Sequence, residues 1–198
     1  MPWSAATAAT NESRCVILLL GDSLSAAYGM STDEGWAALM NNQLKQDGYA
    51  CHVVNASVSG DTTQGGRARL PALLKQHQPT HLILELGANN GLRALPSEMM
   101  KQDLRWMIQQ AKASSIKVLL VGMRMPPNYG PVYTKQFAEV YASLVKDENL
   151  FFVPFFLEGV ITQSEWMQAD ALHPNAQGQP KLLENVWSVL QLMLPKKP

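Results

Sequence analysis

The sequence predicts an α/β fold in which a parallel five-stranded sheet lies between two layers of helices. Three observations lead there. Five short, mostly apolar runs punctuate the chain, segments of helical period separate them, and 198 residues with 46% hydrophobic and 16% charged content suit one globular core. Strands covered by helices on both faces read as continuous apolar runs rather than as alternating ones. A strand followed by a helix and another strand makes a right-handed crossover, which keeps neighbouring strands parallel.

The candidate strands, in order, are Cys15–Leu20, Cys51–Asn55, His81–Leu86, Lys117–Val121 and Leu150–Val153. Trp36, Leu39, Met40 and Leu44 mark the first helix, and Leu70, Leu73, Leu74 and His77 the second. Pro71 sits awkwardly in that second helix, where it belongs in a first turn or at a kink. Leu104, Met107, Ile108 and Ala111 mark a third helix, with Pro96-Ser97-Glu98 as its expected cap. A fourth runs near Tyr133 to Lys146, and the last presents Leu182, Leu183, Val186, Val189, Leu190 and Met193 on one broad face. No repeat or linker interrupts the series, so residues 14–198 are expected to form a single domain. The first thirteen residues are expected to be a loosely held tail; MPWSAATAATNE lacks the apolar stretch of a signal peptide.

Composition excludes several functions. Sixteen basic and sixteen acidic residues cancel, so no global field favours nucleic acid or anionic lipid. The longest apolar run is far short of the roughly 20 residues that span a bilayer. Two cysteines and no CxxC cannot build a zinc site by themselves.

Ligands of such sheets bind beyond the carboxyl ends of the strands, and four segments there or just ahead of the last helix carry chemistry. Gly21-Asp22-Ser23-Leu24-Ser25 follows the first strand, and Ser23 is either a helix cap or a hydroxyl presented at the rim. Gly60, after the second strand, is either a turn glycine or a place where the backbone aims an N–H at a ligand. Asn89, in Gly87-Ala88-Asn89-Asn90-Gly91, is a turn residue or a side-chain donor to an oxyanion. Asp170, three residues before His173, can meet the imidazole Nδ1–H and leave Nε2 free as a base. His52, His77 and His81 lie within candidate strands and a helix, where packing or surface roles are expected.

Taken together, GDSLS, NASVSGDTT, LGANNGL and DALHP resemble the four sequence blocks of the SGNH (GDSL) hydrolase superfamily. More narrowly, NASVSGDT, RLPALLKQHQP, PPNYG and WMQADALHPN resemble the bacterial thioesterase I / protease I / lysophospholipase L1 group, which includes arylesterases. The resemblance implies a three-layer α/β/α sandwich of flavodoxin-like type. It implies Ser23 as nucleophile, His173 as general base and Asp170 as the residue orienting it. The oxyanion hole it implies consists of the Ser23 and Gly60 N–H groups with the Asn89 amide. Ester or thioester hydrolysis with no metal or cofactor follows, on a small-molecule substrate, by a monomer or weak oligomer. Two other readings stay open: a carbohydrate acetylesterase of the same superfamily, and a non-catalytic flavodoxin-like binding module. Block three departs from the usual Gly-Gly-Asn-Asp, with Ala88 and Asn90 in its second and fourth positions. That departure bears on the local loop conformation and the rate.

Leu92, Leu95, Met125 and Pro126 are candidates for an acyl-chain groove, although Met123 and Met125 also suit plain core filling. Arg124 is a phosphate contact or a structural hydrogen-bond donor. In this fold the first two strands are neighbours, so Cys15 and Cys51 come together near the amino end of the sheet, as a disulfide or as two buried thiols. The resemblance implies a periplasmic or secreted bacterial protein, while the absence of an export signal in the sequence leaves a cytoplasmic location open.

Overall fold

A computed structural model describes residues 15–195 of the protein, so the expected tail lies outside the described residues. The strands are β1 (Cys15–Gly21), β2 (Cys51–Asn55), β3 (His81–Glu85), β4 (Lys117–Val121) and β5 (Phe151–Val153). They form a parallel sheet in the order β2-β1-β3-β4-β5. The principal helices are α1 (Trp36–Gln46), α2 (Thr63–His77), α3 (Ala88–Leu92), α4 (Ser97–Ala113), α5 (Pro131–Glu148) and α6 (Gln179–Leu190). Helix α1 packs with α6, while α4 packs with both α2 and α5, giving a helical layer on each side of the sheet. The expected three-layer α/β/α sandwich with flavodoxin-like strand order is what forms.

Every residue of β1 and β3 is buried, whereas the edge strands β2 and β5 are only partly covered. The aromatic residues Trp36 and Phe156 meet edge to face at 5.2 Å, both fully buried, and tie the start of α1 to the segment after β5. On α6, Leu182, Val186 and Leu190 bury the expected face, and Met193 stays buried in the turn beyond the helix.

Several boundaries differ from expectation. Helix α2 begins at Thr63, well upstream of Leu70, so Pro71 falls in its interior, on the exposed side. The early start has two local causes. The Thr62 hydroxyl accepts from the Gly65 N–H, and the Asn90 side chain accepts from the Thr63 N–H at 3.0 Å. Helix α4 starts at Ser97 as expected but without a side-chain cap; the buried Ser97 hydroxyl has no partner among the described residues. Short α3 follows Gly87, whose φ of +126° suits glycine, and gave no periodic signal over five residues.

Residues Cys15 and Cys51 are register partners and form a disulfide between β1 and β2, resolving the cysteine alternative. The chain leaves β1 toward β2 on one side and later returns to β3 on the other. That reversal opens a crevice at the carboxyl ends of β1 and β3.

Candidate active site

At the end of β1 the backbone turns within a space only glycine fits. A Cβ on Gly21 would lie 2.7 Å from Glu85 Oε2 and 2.8 Å from the Ser25 side chain. Asp22, fully buried, then caps a helix-like turn: its Oδ1 accepts from the Leu24 N–H at 3.0 Å and its carbonyl from the Ala26 N–H at 2.9 Å. The capping role considered for Ser23 therefore belongs to Asp22. The Ser23 side chain is left pointing into the crevice.

Opposite stands a short hairpin closed by a Met167–Pro174 bridge and by the Gln168 N–H bonded to the His173 carbonyl at 2.7 Å. At its tip, Asp170 Oδ1 accepts from the Leu172 and His173 N–H groups at 2.9 and 3.0 Å. The other carboxylate oxygen, Oδ2, lies 2.6 Å from His173 Nδ1. These donors, the His173 N–H first, hold the Asp170 carboxyl down to about 2. An ionised carboxylate can only accept, so Nδ1 carries the imidazole proton. Nitrogen Nε2 is then an acceptor, and the Ser23 hydroxyl lies 2.9 Å from it. Residues 150 apart in sequence thus meet in one hydrogen-bonded chain.

Gly60 and Asn89 line the same crevice as Ser23. Gly60 adopts φ +78° at the tip of the loop after β2, and Arg93 donates to its carbonyl at 2.8 Å. Among the described residues no acceptor engages the Gly60 or Ser23 backbone N–H. Asn89 donates one amide hydrogen to Asp22 Oδ2 at 3.1 Å, and the second has no acceptor among the described residues. Its neighbour Asn90 is buried and pairs twice with Thr63, accepting from the backbone N–H and donating to Oγ1 at 2.9 Å. That donation frees the Thr63 hydroxyl hydrogen for Asp103, which in turn pairs with Arg67 at 3.0 Å. A carboxylate at position 90 could not donate, so the asparagine is integral to how this loop is held.

Beneath the Ser23 turn lies a buried acidic pair. Glu85 Oε2 accepts from Ser25 Oγ at 2.7 Å and from the Asp22 N–H at 3.3 Å, while Oε1 is buried with no partner among the described residues. Burial pushes Glu85 well above the usual carboxylate range, with the Asp22 charge adding to it. Burial likewise pushes Asp22 up to about 6.

The crevice has a volume of about 310 Å³. Ser23 and His173 face it beside Gly60 and Asn89, and its walls are mostly apolar, with Leu92, Met123, Met125, Leu157, Ile161 and Leu172 prominent. With this geometry, the likeness to known proteins becomes specific. Residues 19–180 match the GDSL-like lipase/acylhydrolase family. Esterase TesA of Pseudomonas aeruginosa is 49% identical over 178 residues, covering 90% of this chain and 89% of that protein. Thioesterase 1/protease 1/lysophospholipase L1 of Escherichia coli is 46% identical, covering 89% of this chain and 82% of its own length. The crystal structure of the psychrotrophic esterase EstA from Pseudoalteromonas sp., inhibited by monoethylphosphonate, superimposes with a TM-score of 0.86 at 38% identity, covering 90% of this chain and 97% of EstA.

The chain belongs to the GDSL family of hydrolases.

In this GDSL hydrolase, Ser23, Gly60, Asn89 and His173 converge on the crevice, with Asp170 behind the imidazole. Leu92, Met125 and Pro126 line it as expected; Leu95 does not. The Leu95 N–H closes onto the Asn90 carbonyl and its own carbonyl accepts from Tyr133 at 3.0 Å, which turns the chain away after α3. Met123 and Met125 are both buried and both cleft-lining, so the two readings of them were not exclusive. Arg124 lies at the rim over the Phe155 ring at 4.8 Å and 3.7 Å from Glu158. Buried His81 bonds the Met193 carbonyl at 3.1 Å, far from this chemistry in the fold. Sequence reasoning missed Tyr28, whose ring packs 4.6 Å from the His173 imidazole, and Ile161 and Leu172 on the crevice wall. Leu172 did carry a signal, as an apolar residue inside an otherwise functional polar motif. Tyr28 and Ile161 sit in loops without periodicity and had none.

Proposed function

We propose that this hydrolase is a serine esterase and thioesterase acting on carboxylic esters and acyl thioesters, such as aryl esters, acyl-CoA and lysophospholipid-type substrates, through an acyl-enzyme. The observation that carries the reading is the chain from Ser23 Oγ through His173 to Asp170, opening onto an apolar crevice beside three N–H donors. Ser23 Oγ attacks the carbonyl carbon as His173 Nε2 takes its proton, because a free serine hydroxyl is a weak nucleophile near pH 7. Asp170 keeps the imidazole in the tautomer that can accept and stabilises the cation that forms. Negative charge develops on the carbonyl oxygen, where the Ser23 and Gly60 N–H groups and the free Asn89 hydrogen receive it. The imidazolium protonates the departing alkoxide or thiolate, and a water deprotonated by His173 then releases the acid. Each proton has a side chain to carry it, so the scheme calls for no metal or cofactor.

The apolar wall favours an acyl chain over a carbohydrate, and the names of the relatives TesA and thioesterase 1 support the same class. We further propose that residues 14–198 act as one domain and that the protein works as a monomer or weak oligomer, because one chain supplies the whole crevice. The Cys15–Cys51 disulfide favours an oxidising compartment, periplasmic or extracellular. The test is a hydrolysis panel of p-nitrophenyl esters, acyl-CoAs and acetylated sugars, run with Ser23→Ala in parallel. Turnover of medium-chain esters and thioesters that vanishes in the variant is expected. Activity confined to acetylated sugars, or a Ser23→Ala protein of normal activity, would overturn the reading.

A further inference from the structure

The hairpin that carries Asp170 and His173 is shaped by its own bonds, but these do not determine where it stands relative to the Ser23 turn. Apart from His173 itself, two side chains among the described residues tie the hairpin by hydrogen bonds to the chain that follows β1. Gln179, at the start of α6, accepts from the Trp36 N–H at 3.0 Å and donates to the Pro174 and Asn175 carbonyls, which anchors the far shoulder of the hairpin to α1. Gln168 anchors the near one. Its Nε2 donates to the Tyr28 carbonyl at 2.7 Å and to the Pro174 carbonyl at 3.2 Å.

Tyr28 belongs to the Ser23 turn, because its N–H bonds the Ser23 carbonyl at 3.3 Å, and its ring lies against the His173 imidazole. The next residue, Gly29, has φ +76°, and a Cβ there would collide with Gln168 Oε1. The glutamine side chain is therefore seated in a space shaped for it. We propose that Gln168 is a positioning residue, which clasps the hairpin to the Ser23 turn and keeps His173 Nε2 within hydrogen-bond reach of the serine hydroxyl. The inference rests on reading Ser23 and His173 as nucleophile and base. Displacing reacting groups by about 1 Å can cost 10²-fold in rate, so a clasp of this kind acts on kcat.

The test compares Gln168→Met, which keeps the bulk without donors, with Gln168→Glu, which turns a carboxylate toward the two carbonyl oxygens. Both are measured for kcat and KM on a soluble p-nitrophenyl ester, for the rate of phosphonate labelling, and for Tm. The expected result for Gln168→Met is a fall in kcat of about 10- to 100-fold with KM within about twofold, and a matching fall in labelling rate. Gln168→Glu is expected to fall further. A kcat for Gln168→Met within about twofold of wild type, equal losses in the two variants, or an effect confined to Tm would overturn the proposal. Ser23→Ala serves as the control: if it stays active, the reading of the site has failed rather than the clasp.

Discussion

Asn89 gives one amide hydrogen to Asp22, and its second has no acceptor among the described residues, so the proposed function assigns that hydrogen to substrate. The bond to Asp22 orients the amide before any charge develops, and such preorganisation is what makes a donor effective in the transition state. Replacing Asn89 by Ala is expected to lower kcat by about 10²–10³-fold with little change in KM; steady-state kinetics on one ester decide it, and a change confined to KM contradicts the role. Asp170 can be tested separately from its turn. An Asn at that position keeps an oxygen for the Leu172 and His173 N–H groups but loses the charge and the enforced tautomer. A loss of about 10²–10⁴-fold in kcat with a near-normal Tm is expected for Asp170→Asn. At this scale the motifs were legible because each proposed catalytic residue sits in a short block of fixed chemistry. Gln168 and Tyr28 were not, because their role arises from a contact between segments 140 residues apart.

Among the elements, the strands were the most readable and the helix starts the least. Burial on both faces makes β1 an apolar run and leaves β3 with an apolar centre, Leu82-Ile83-Leu84, so composition locates both. The start of α2 depends on Asn90, which comes from a different loop, and no periodicity within residues 63–69 reports it. The β1–β2 pair offers a direct experiment. Its disulfide spans 36 residues and lies at the amino end of the sheet, opposite the crevice. Converting both Cys15 and Cys51 to Ser is expected to cost about 2–4 kcal/mol of stability, lowering Tm by about 4–16 °C. The kcat at 25 °C is expected to stay unchanged, which calorimetry and kinetics on the same sample can check; a loss of kcat at full folding contradicts the separation of bond and site.

For the molecule as a whole, the strand order places the crevice, and the acidic pair beneath it sets a pH dependence. Glu85 has its carboxyl raised in the folded state, so as pH climbs above the ordinary carboxylate range the unfolded chain ionises while the folded one stays neutral. Stability falls through that window. Asp22 adds to the loss between its ordinary value of 3.8 and about 6. Asp170 has the opposite sign: its contribution is present above the ordinary carboxylate value and is lost as pH falls toward 2. Glu85→Gln keeps a neutral group of the same shape and removes one ionisation. Thermal scans are expected to show the variant near wild type at pH 4 and several degrees more stable at pH 8, about 2–4 °C for each kcal/mol. Parallel pH profiles for the two proteins would contradict this assignment.

The most direct measurement of the central claim is to inactivate the enzyme with a small phosphonate ester and locate the adduct by peptide mass spectrometry. A single adduct on Ser23, absent in His173→Ala at the same exposure, is the expected result. An adduct on any other residue accompanying full inactivation, or undiminished labelling of Ser23 without the imidazole, would contradict it.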